Sequence, residues 1–280
     1  MSTNTKPFLK YLGNKFNQVE QIKKLIPQGE RLIEPFVGSG SVFLNTNYRR
    51  YLLCDVNKDL INVYKVLAAY QEEFVERCRK YFTQLNNNVD IYNFHRHVFN
   101  QIDSEETNYE QRINKACLFI YLNKHGFRGI TRYNSEGKFN VPFGYYEKPY
   151  FPEQEMLAFV AKINQAELVE FRAFDFKDTL KLARAGDVVY CDPPYVPLSA
   201  TSNFTRYYGE TFNWHDQVEL LSLCKKLKQE LNITSVISNH NTNEVVTLYE
   251  TSVMEMVKGF VKRSINPKRA INAPELMVSI

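Results

Sequence analysis

Long apolar runs are missing from this sequence. No stretch approaches the ~18 consecutive apolar residues of a membrane-crossing helix. The opening segment MSTNTKPFLKYLGNK lacks the apolar core of a secretory leader. These absences predict a soluble, intracellular, cytoplasmic protein with no membrane partner. Cysteine is sparse and scattered: Cys54, Cys78, Cys117, Cys191 and Cys224 form no Cys-x-x-Cys pair. That pattern argues against a disulfide framework and a zinc site, and it predicts reduced thiols and no metal. Repeats and low-complexity tracts are absent as well, which removes solenoids and disordered linkers from consideration. Charge of either sign is not in large excess: 35 basic against 31 acidic residues leave +4. A polyanionic partner is compatible with that balance but not required by it.

What is abundant is core-forming material. The chain has 280 residues, 44% of them hydrophobic, with 18 Tyr and 20 Phe. This suffices for one large domain or for one domain carrying an insertion. Apolar residues at helical spacing over 16–26 stop at Pro27 and Gly29. Arg31–Glu34 reads as a short buried strand, SVFLNTN begins a helix, and YLLCD is a second strand ending at Asp55. Strand, glycine loop, helix, strand and acid in this order open an α/β sheet that holds an adenosine-type ligand at its carboxyl edge. Helices are then predicted over 57–85, 89–101 and 110–124, and a hairpin around Asn134-Ser135-Glu136-Gly137. Strand–helix alternation resumes near residue 153. GDVVYCDPPY gives a buried strand and a stiff loop, 213–231 a helix, and ITSVIS and ELMVSI two more strands. The expected architecture is α/β, a Rossmann-like sheet in residues 1–56 and 146–280, interrupted by a mainly helical domain at 57–145 that contains a β-hairpin.

Two loops carry chemistry. Phe36-Val37-Gly38-Ser39-Gly40 lies between a strand and a helix, where glycines let the backbone approach a ligand and a helix start offers free N–H groups. Asp55 follows Gly38 by 17 residues, near the roughly 20 expected for an acid that grips ribose hydroxyls. A cap on the helix that follows is the lesser alternative, and the two roles are not exclusive. Asp192-Pro193-Pro194-Tyr195 is the more specific motif. Its prolines fix φ and remove two N–H donors. The Asp192 carboxylate and the Pro193 carbonyl are then placed as acceptors for an exocyclic aromatic amine, whose lone pair is delocalised until both N–H groups are engaged. Tyr195 offers a flat face for a base.

Together these motifs resemble those of the Dam-type DNA adenine methyltransferases, from Phe8 to about Lys262. FLKYLGNK, EPFVGSGSVFLN, the Asp55-Val56-Asn57 step, NKHGFRGITRYNSEGKFNVPFG and DPPYVPLSATSNFT follow that family's order. The resemblance implies a Rossmann-like sheet with a target-recognition domain. It implies double-stranded DNA as partner, S-adenosyl-L-methionine (AdoMet) as methyl donor with S-adenosyl-L-homocysteine as product, and N6 of adenine within GATC as acceptor, reached by base flipping in a bacterial or phage-infected cell. No obligate protein partner is implied. Carried over by position, Tyr11, Lys15, Phe36, Gly38, Gly40, Asp55 and Asp192 are cofactor contacts. Asp192, Pro193, Pro194 and Tyr195 are the catalytic tetrapeptide. Lys10, Phe127, Arg128, Ile130, Arg132, Asn134, Pro142 and Tyr146 are DNA contacts, with Lys10 and Arg132 at guanine edges and Phe127 entering the base stack.

The sequence also departs from that pattern. Tyr11 stands where Trp is common, and Asn14 interrupts the usual Gly-Gly-Lys. Arg128 stands where Asn is usual and Tyr145 where Arg is frequent. Beyond Arg263 no glycine-rich basic loop follows, and Lys258, Lys262, Arg263, Lys268 and Arg269 form a basic run that is either a solvated face or a phosphate contact. Other acceptors remain open at this point, namely glutamine in protein, guanine N2 in RNA and cytosine N4. So does a binding module without catalysis, although the intact Asp55 and Asp192 argue against it.

Overall fold

A computed structural model of the chain describes residues 4–105, 108–195, 206–207, 210–250, 255–263 and 271–280. A 3-10 turn at Phe16–Gln18 leads into α1 (Val19–Leu25), followed by β1 (Arg31–Glu34), α2 (Ser41–Asn45), β2 (Arg50–Cys54) and α3 (Lys58–Arg79). Next come α4 (Val89–Gln101), α5 (Tyr109–His125), a 3-10 turn at Phe127–Gly129, α6 (Glu153–Gln165), β3 (Leu168–Arg172), α7 (Phe176–Leu180) and β4 (Asp187–Cys191). The chain continues through β5 (Arg206–Tyr207), β6 (Glu210–Thr211), α8 (Trp214–Leu231), β7 (Thr234–His240), α9 (Asn243–Glu250), β8 (Glu255–Arg263) and β9 (Ile271–Ser279).

Seven strands form one sheet in the order β3-β2-β1-β4-β7-β9-β8. The pairs from β3 to β7 are parallel, and β9 runs antiparallel to both its neighbours. Because side chains alternate along a strand, the sheet divides its apolar residues between two cores. Leu32, Tyr51, Leu53, Val188, Tyr190, Val236 and Met277 join the cluster under α1–α6. Their neighbours Ile33, Leu52, Cys54, Val189, Cys191, Ile237, Leu276 and Val278 join the cluster under α7–α9. Burial on both faces explains why β4 reads as an unbroken run rather than as an alternating strand. It is the Rossmann-like α/β arrangement expected. The topological switch falls between β1 and β4, and their carboxyl ends open the crevice where such sheets bind ligands.

Several elements differ from expectation. The helix expected at 57–85 ends at Arg79 and breaks at Gln71, whose φ is 43°. Its first half packs on the sheet side: Tyr64 stacks on Phe159 of α6 at 5.0 Å and lies 5.5 Å from Phe171 of β3. The stretch 57–145 thus shares one apolar cluster with the sheet. The hairpin expected around 134–137 forms a tight turn but no ladder, only the isolated bridges Tyr133↔Phe139 and Gly126↔Phe143. Across the turn the Asn134 N–H donates to the Lys138 carbonyl at 2.9 Å and the Asn140 N–H to the Arg132 carbonyl at 3.1 Å, and α4 holds the backbone groups of the returning arm that face outward. Asn100 accepts from the Phe139 N–H at 2.8 Å and donates to its carbonyl at 3.0 Å. Tyr92 and Arg96 donate to the Val141 carbonyl at 3.1 and 2.8 Å. Near the C-terminus, Lys258, Lys262 and Arg263 fall on a strand that the sequence reading did not anticipate; Lys268 and Arg269 lie outside the described residues. All five cysteines are buried free thiols. Among the described residues no helix is long and apolar enough to cross a membrane.

Candidate active site and nucleic-acid interface

The glycine loop leaves β1 with Gly38 at φ 48° and Gly40 at φ 73°. Left-handed backbone of this kind strains any residue with a Cβ. A Cβ on Gly38 would also stand 3.3 Å from the Tyr11 ring, so the Tyr11 ring lies directly against the loop. Asp55, at the end of β2, is 9% exposed. One carboxylate oxygen accepts from the Gly38 N–H at 3.1 Å and the other from the Asn57 N–H at 3.0 Å. Burial pushes this carboxyl up to about 6, while the two backbone N–H groups pull it down. Asp55 does not cap α3: Asn57 does, accepting from Asp59 and Leu60. Phe36 extends the loop's apolar side, stacked on Phe176 at 5.7 Å and edge-on to Phe212 at 5.8 Å.

Across the crevice, Asp192 follows β4 directly. Lys15 reaches both its oxygens, at 2.6 and 2.7 Å, and also donates to the Gly13 carbonyl at 2.9 Å. The Lys15 ammonium stands 4.8 Å from the centre of the Tyr195 ring, and His240 meets that ring edge-on at 5.0 Å. Gln217 of α8 donates to the Pro194 carbonyl at 2.9 Å and is itself held by Asn239 of β7 at 2.9 Å. That braces the proline pair one peptide beyond the Pro193 carbonyl expected to face an amine. Residues 196–205, the rest of the DPPYVPLSATSNFT segment, lie outside the described residues.

Two buried acids at this crevice were not singled out from the sequence. Glu275 of β9 is 3% exposed. It accepts from the Tyr195 hydroxyl at 2.5 Å, accepts from Gln18, and lies 3.8 Å from Lys15. Burial raises the Tyr195 hydroxyl well above its ordinary value, so it acts there as a neutral donor. The only sequence signal for Glu275 is a charge inside an otherwise apolar strand, ELMVSI. Glu34, at the end of β1, is 2% exposed, and among the described residues its Oε1 has no hydrogen-bond partner. Burial raises its carboxyl well above the usual range.

Of the expected DNA contacts, Lys10, Phe127, Arg128, Pro142 and Tyr146 gather around the end of α5, whereas Arg132 and Asn134 bond within the turn that follows. Phe127 is exposed, its N–H donating to the Pro142 carbonyl at 2.8 Å. Arg128 adopts φ 57°, and its guanidinium lies 4.9 Å from the Phe127 ring. Lys10 places its ammonium 4.6 Å from the Tyr146 ring. Arg132 is exposed and donates to the Asn140 side chain at 2.8 Å and its carbonyl at 3.2 Å. Ile130 is half-buried and Pro142 exposed. Asn134 spends its side-chain oxygen on the turn, accepting from Glu136 at 3.0 Å and Lys138 at 2.9 Å. Tyr133 anchors the loop to α3 by donating to Asp59 at 2.6 Å. Lys124, missed because it reads as part of an apolar helix, is buried beside Lys10. Burial first, and the Lys10 charge second, push its ammonium down to about 8.

A parallel sheet with a glycine loop at one side of its switch point and an acid-bearing diproline loop at the other defines a Rossmann-like α/β enzyme. Residues 11–265 match the D12 class N6 adenine-specific DNA methyltransferases, and the chain belongs to that family. The chain is similar to a DNA adenine methylase of Serratia marcescens, 43% identical over 267 residues, 95% of each protein. Another relative, from Escherichia coli strain K12, is 42% identical over 259 residues, 92% of this chain and 88% of the relative. A third, from Vibrio cholerae, is 42% identical over 251 residues, 90% and 87% respectively. The enzyme is an adenine-specific DNA methyltransferase, and the glutamine, guanine N2, cytosine N4 and catalytically silent alternatives fall away.

Proposed function

We propose that the enzyme transfers a methyl group from AdoMet to N6 of the adenine in duplex GATC, after that base has left the helix. The observation that carries this reading is the spatial order along residues 10–15: Lys10 against the recognition loop, Tyr11 against the glycine loop, Lys15 on Asp192. The chain's own residues fit AdoMet. Gly38 and Gly40 leave room for close approach, the buried Asp55 carboxylate suits two vicinal hydroxyls, and the Lys15 ammonium suits the carboxylate of a methionine moiety. Tyr11, Phe36 and Asp192 complete that set. When bound, AdoMet supplies an electrophilic methyl on a sulfonium.

Asp192 and the Pro193 carbonyl accept from the two N6–H groups of adenine, drawing the nitrogen toward a tetrahedral shape and freeing its lone pair. Pro194 holds the angle, Tyr195 stacks the base, and Lys15 orients the Asp192 carboxylate. After transfer the nitrogen carries one proton too many, which passes to Asp192 or to water. No metal takes part in this scheme. Residues 57–145 form the recognition domain and residues 1–56 with 146–280 the catalytic domain. Phe127 fills the gap left by the adenine, and Arg128, Ile130, Asn134, Pro142 and Tyr146 contact its surroundings. Arg132 reads a guanine edge, and Lys10 the guanine before the adenine. Duplex DNA is the substrate, the cytoplasm its location, and no protein partner is needed.

The experiment is transfer of a labelled methyl group from AdoMet to a duplex carrying one GATC, to the same duplex with each pair changed in turn, and to single-stranded DNA. Label should enter N6-methyladenine in the GATC duplex and be lost in Asp192→Ala. A preference for another adenine site would overturn the GATC assignment, and a preference for single strands would overturn base flipping.

A further inference from the structure

Asn123 sits in the last turn of α5, 1% exposed, between the N-terminal segment and the recognition loop. Its carboxamide is used at both ends. The oxygen accepts from the Lys10 N–H at 3.0 Å, and the nitrogen donates to the Lys10 carbonyl at 2.7 Å and to the Gly129 carbonyl at 3.1 Å. A single side chain therefore holds both backbone groups of Lys10, as a neighbouring strand would, and ties them to the loop that carries Phe127, Arg128 and Ile130. Gly129 makes the approach possible. It lies at φ 65°, and a Cβ there would stand 2.3 Å from the Lys10 Cδ and 3.0 Å from the Asn123 carbonyl oxygen. The Lys10 stem is thus laid across Gly129 and its ammonium delivered over Tyr146 at 4.6 Å.

Asparagine is the side chain of this length that supplies one acceptor and two donors without charge. Aspartate would keep the bond to the Lys10 N–H but set a carboxylate against two carbonyls. Leucine would leave three backbone groups without this partner, the Gly129 carbonyl in a buried position. The position therefore demands geometry, and the geometry it fixes is that of a cation at the recognition surface. Five residues further on, the same segment ends in the Lys15–Asp192 contact.

We propose that Asn123 is a specificity-determining positioning residue, which pins Lys10 to the recognition loop and so sets where the Lys10 ammonium meets the DNA. It touches neither substrate nor cofactor. The proposal rests on the reading of Lys10 as a base contact.

The test compares Asn123→Asp, Lys10→Ala and the double variant, with initial rates on GATC and on the duplex altered at its first pair, at fixed salt. Thermal unfolding and AdoMet binding are measured alongside. Asn123→Asp should narrow the ratio of the two rates by about tenfold, roughly 1.4 kcal/mol of discrimination, with AdoMet affinity within about twofold of wild type. The double variant should discriminate no worse than Lys10→Ala alone, because a residue acting through Lys10 has nothing left to position. Asn123→Ser, which lets water reach the three backbone groups, gives the same comparison if the aspartate variant does not fold. Equal slowing on both duplexes would mean that Asn123 only supports the fold, and multiplicative effects in the double variant would mean that it does not act through Lys10; either overturns the proposal. If Lys10→Ala itself leaves the ratio unchanged, the reading of Lys10 fails, and the proposal with it.

Discussion

If Asp55 holds the AdoMet ribose as proposed, AdoMet affinity should depend on pH in a range where ordinary carboxylates no longer titrate. Its carboxyl is raised to about 6 by burial, whereas an unfolded aspartate titrates near 3.8. Ribose hydroxyls need an acceptor, and the ionised form offers the most lone pairs. If only the carboxylate binds, the Kd for AdoMet is flat above about pH 7 and rises about tenfold for each unit below about pH 6, about 1.4 kcal/mol per unit. At pH 5 the affinity should be about tenfold weaker than at pH 7. The effect on stability has the opposite sense. A folded pKa above the unfolded one means that the folded state holds the proton more tightly, so this group's contribution is fully present below about 3.8 and is lost as pH rises through about 6. The difference of about 2 units corresponds to roughly 3 kcal/mol that the ionised carboxylate costs the fold at neutral pH. Asp55→Asn, which cannot ionise, should bind AdoMet weakly and with no pH dependence between 5 and 7.5. Calorimetric titration of AdoMet across that range, for both proteins, decides the matter. A flat wild-type profile, or the same slope surviving in Asp55→Asn, would refute the reasoning, the second by assigning the titration to another acid such as Glu34.

Glu275→Ala removes the acceptor for the Tyr195 hydroxyl and the second negative neighbour of Lys15, and kcat should fall about tenfold or more; Glu275→Gln keeps the acceptor and should recover part of that loss. Equal turnover in wild type and Glu275→Ala, measured at saturating DNA and AdoMet, would show that Tyr195 is held by other means. Arg132→Ala should reduce discrimination at one flanking guanine by ~1–3 kcal/mol, read as initial rates on single-pair variants; uniform slowing would make Arg132 a phosphate anchor. With 2-aminopurine at the target, Phe127→Ala should give a smaller fluorescence rise on binding than wild type, and identical signals would remove Phe127 from the flipping step.

Where local chemistry dictates the answer, the sequence was a sufficient guide. β1, β2 and β4 are short apolar runs bounded by glycine, proline or an acid, and they appear within a residue or two of their expected limits. The glycine loop and Asp192 fall at the carboxyl ends of β1 and β4 because a parallel sheet leaves them no other place. Asn213, read as the start of α8, caps it with a reciprocal bond to Asp216. The hairpin around 134–137 is present only as a short turn with two backbone bonds between its arms, and the support of its outer edge by Asn100, Tyr92 and Arg96 of α4 is packing that no local rule contains. Asp55 could be read as a cap until Asn57 was seen to supply both bonds.

By itself, then, the sequence determined the strand–loop–helix order, the places of the two loops proposed to carry chemistry and, through the residues of those loops, the family. Patterns of this kind depend on neighbours within a few residues, where turn geometry and side-chain period act. Only the tertiary structure decided which distant groups share a buried space: Glu275 with Lys15 and Tyr195, 260 and 80 residues away, and Asn123 with Lys10, 113 residues away. Such pairings are selected by the need to satisfy every polar group that packing removes from water, and that need arises only once the chain has closed on itself.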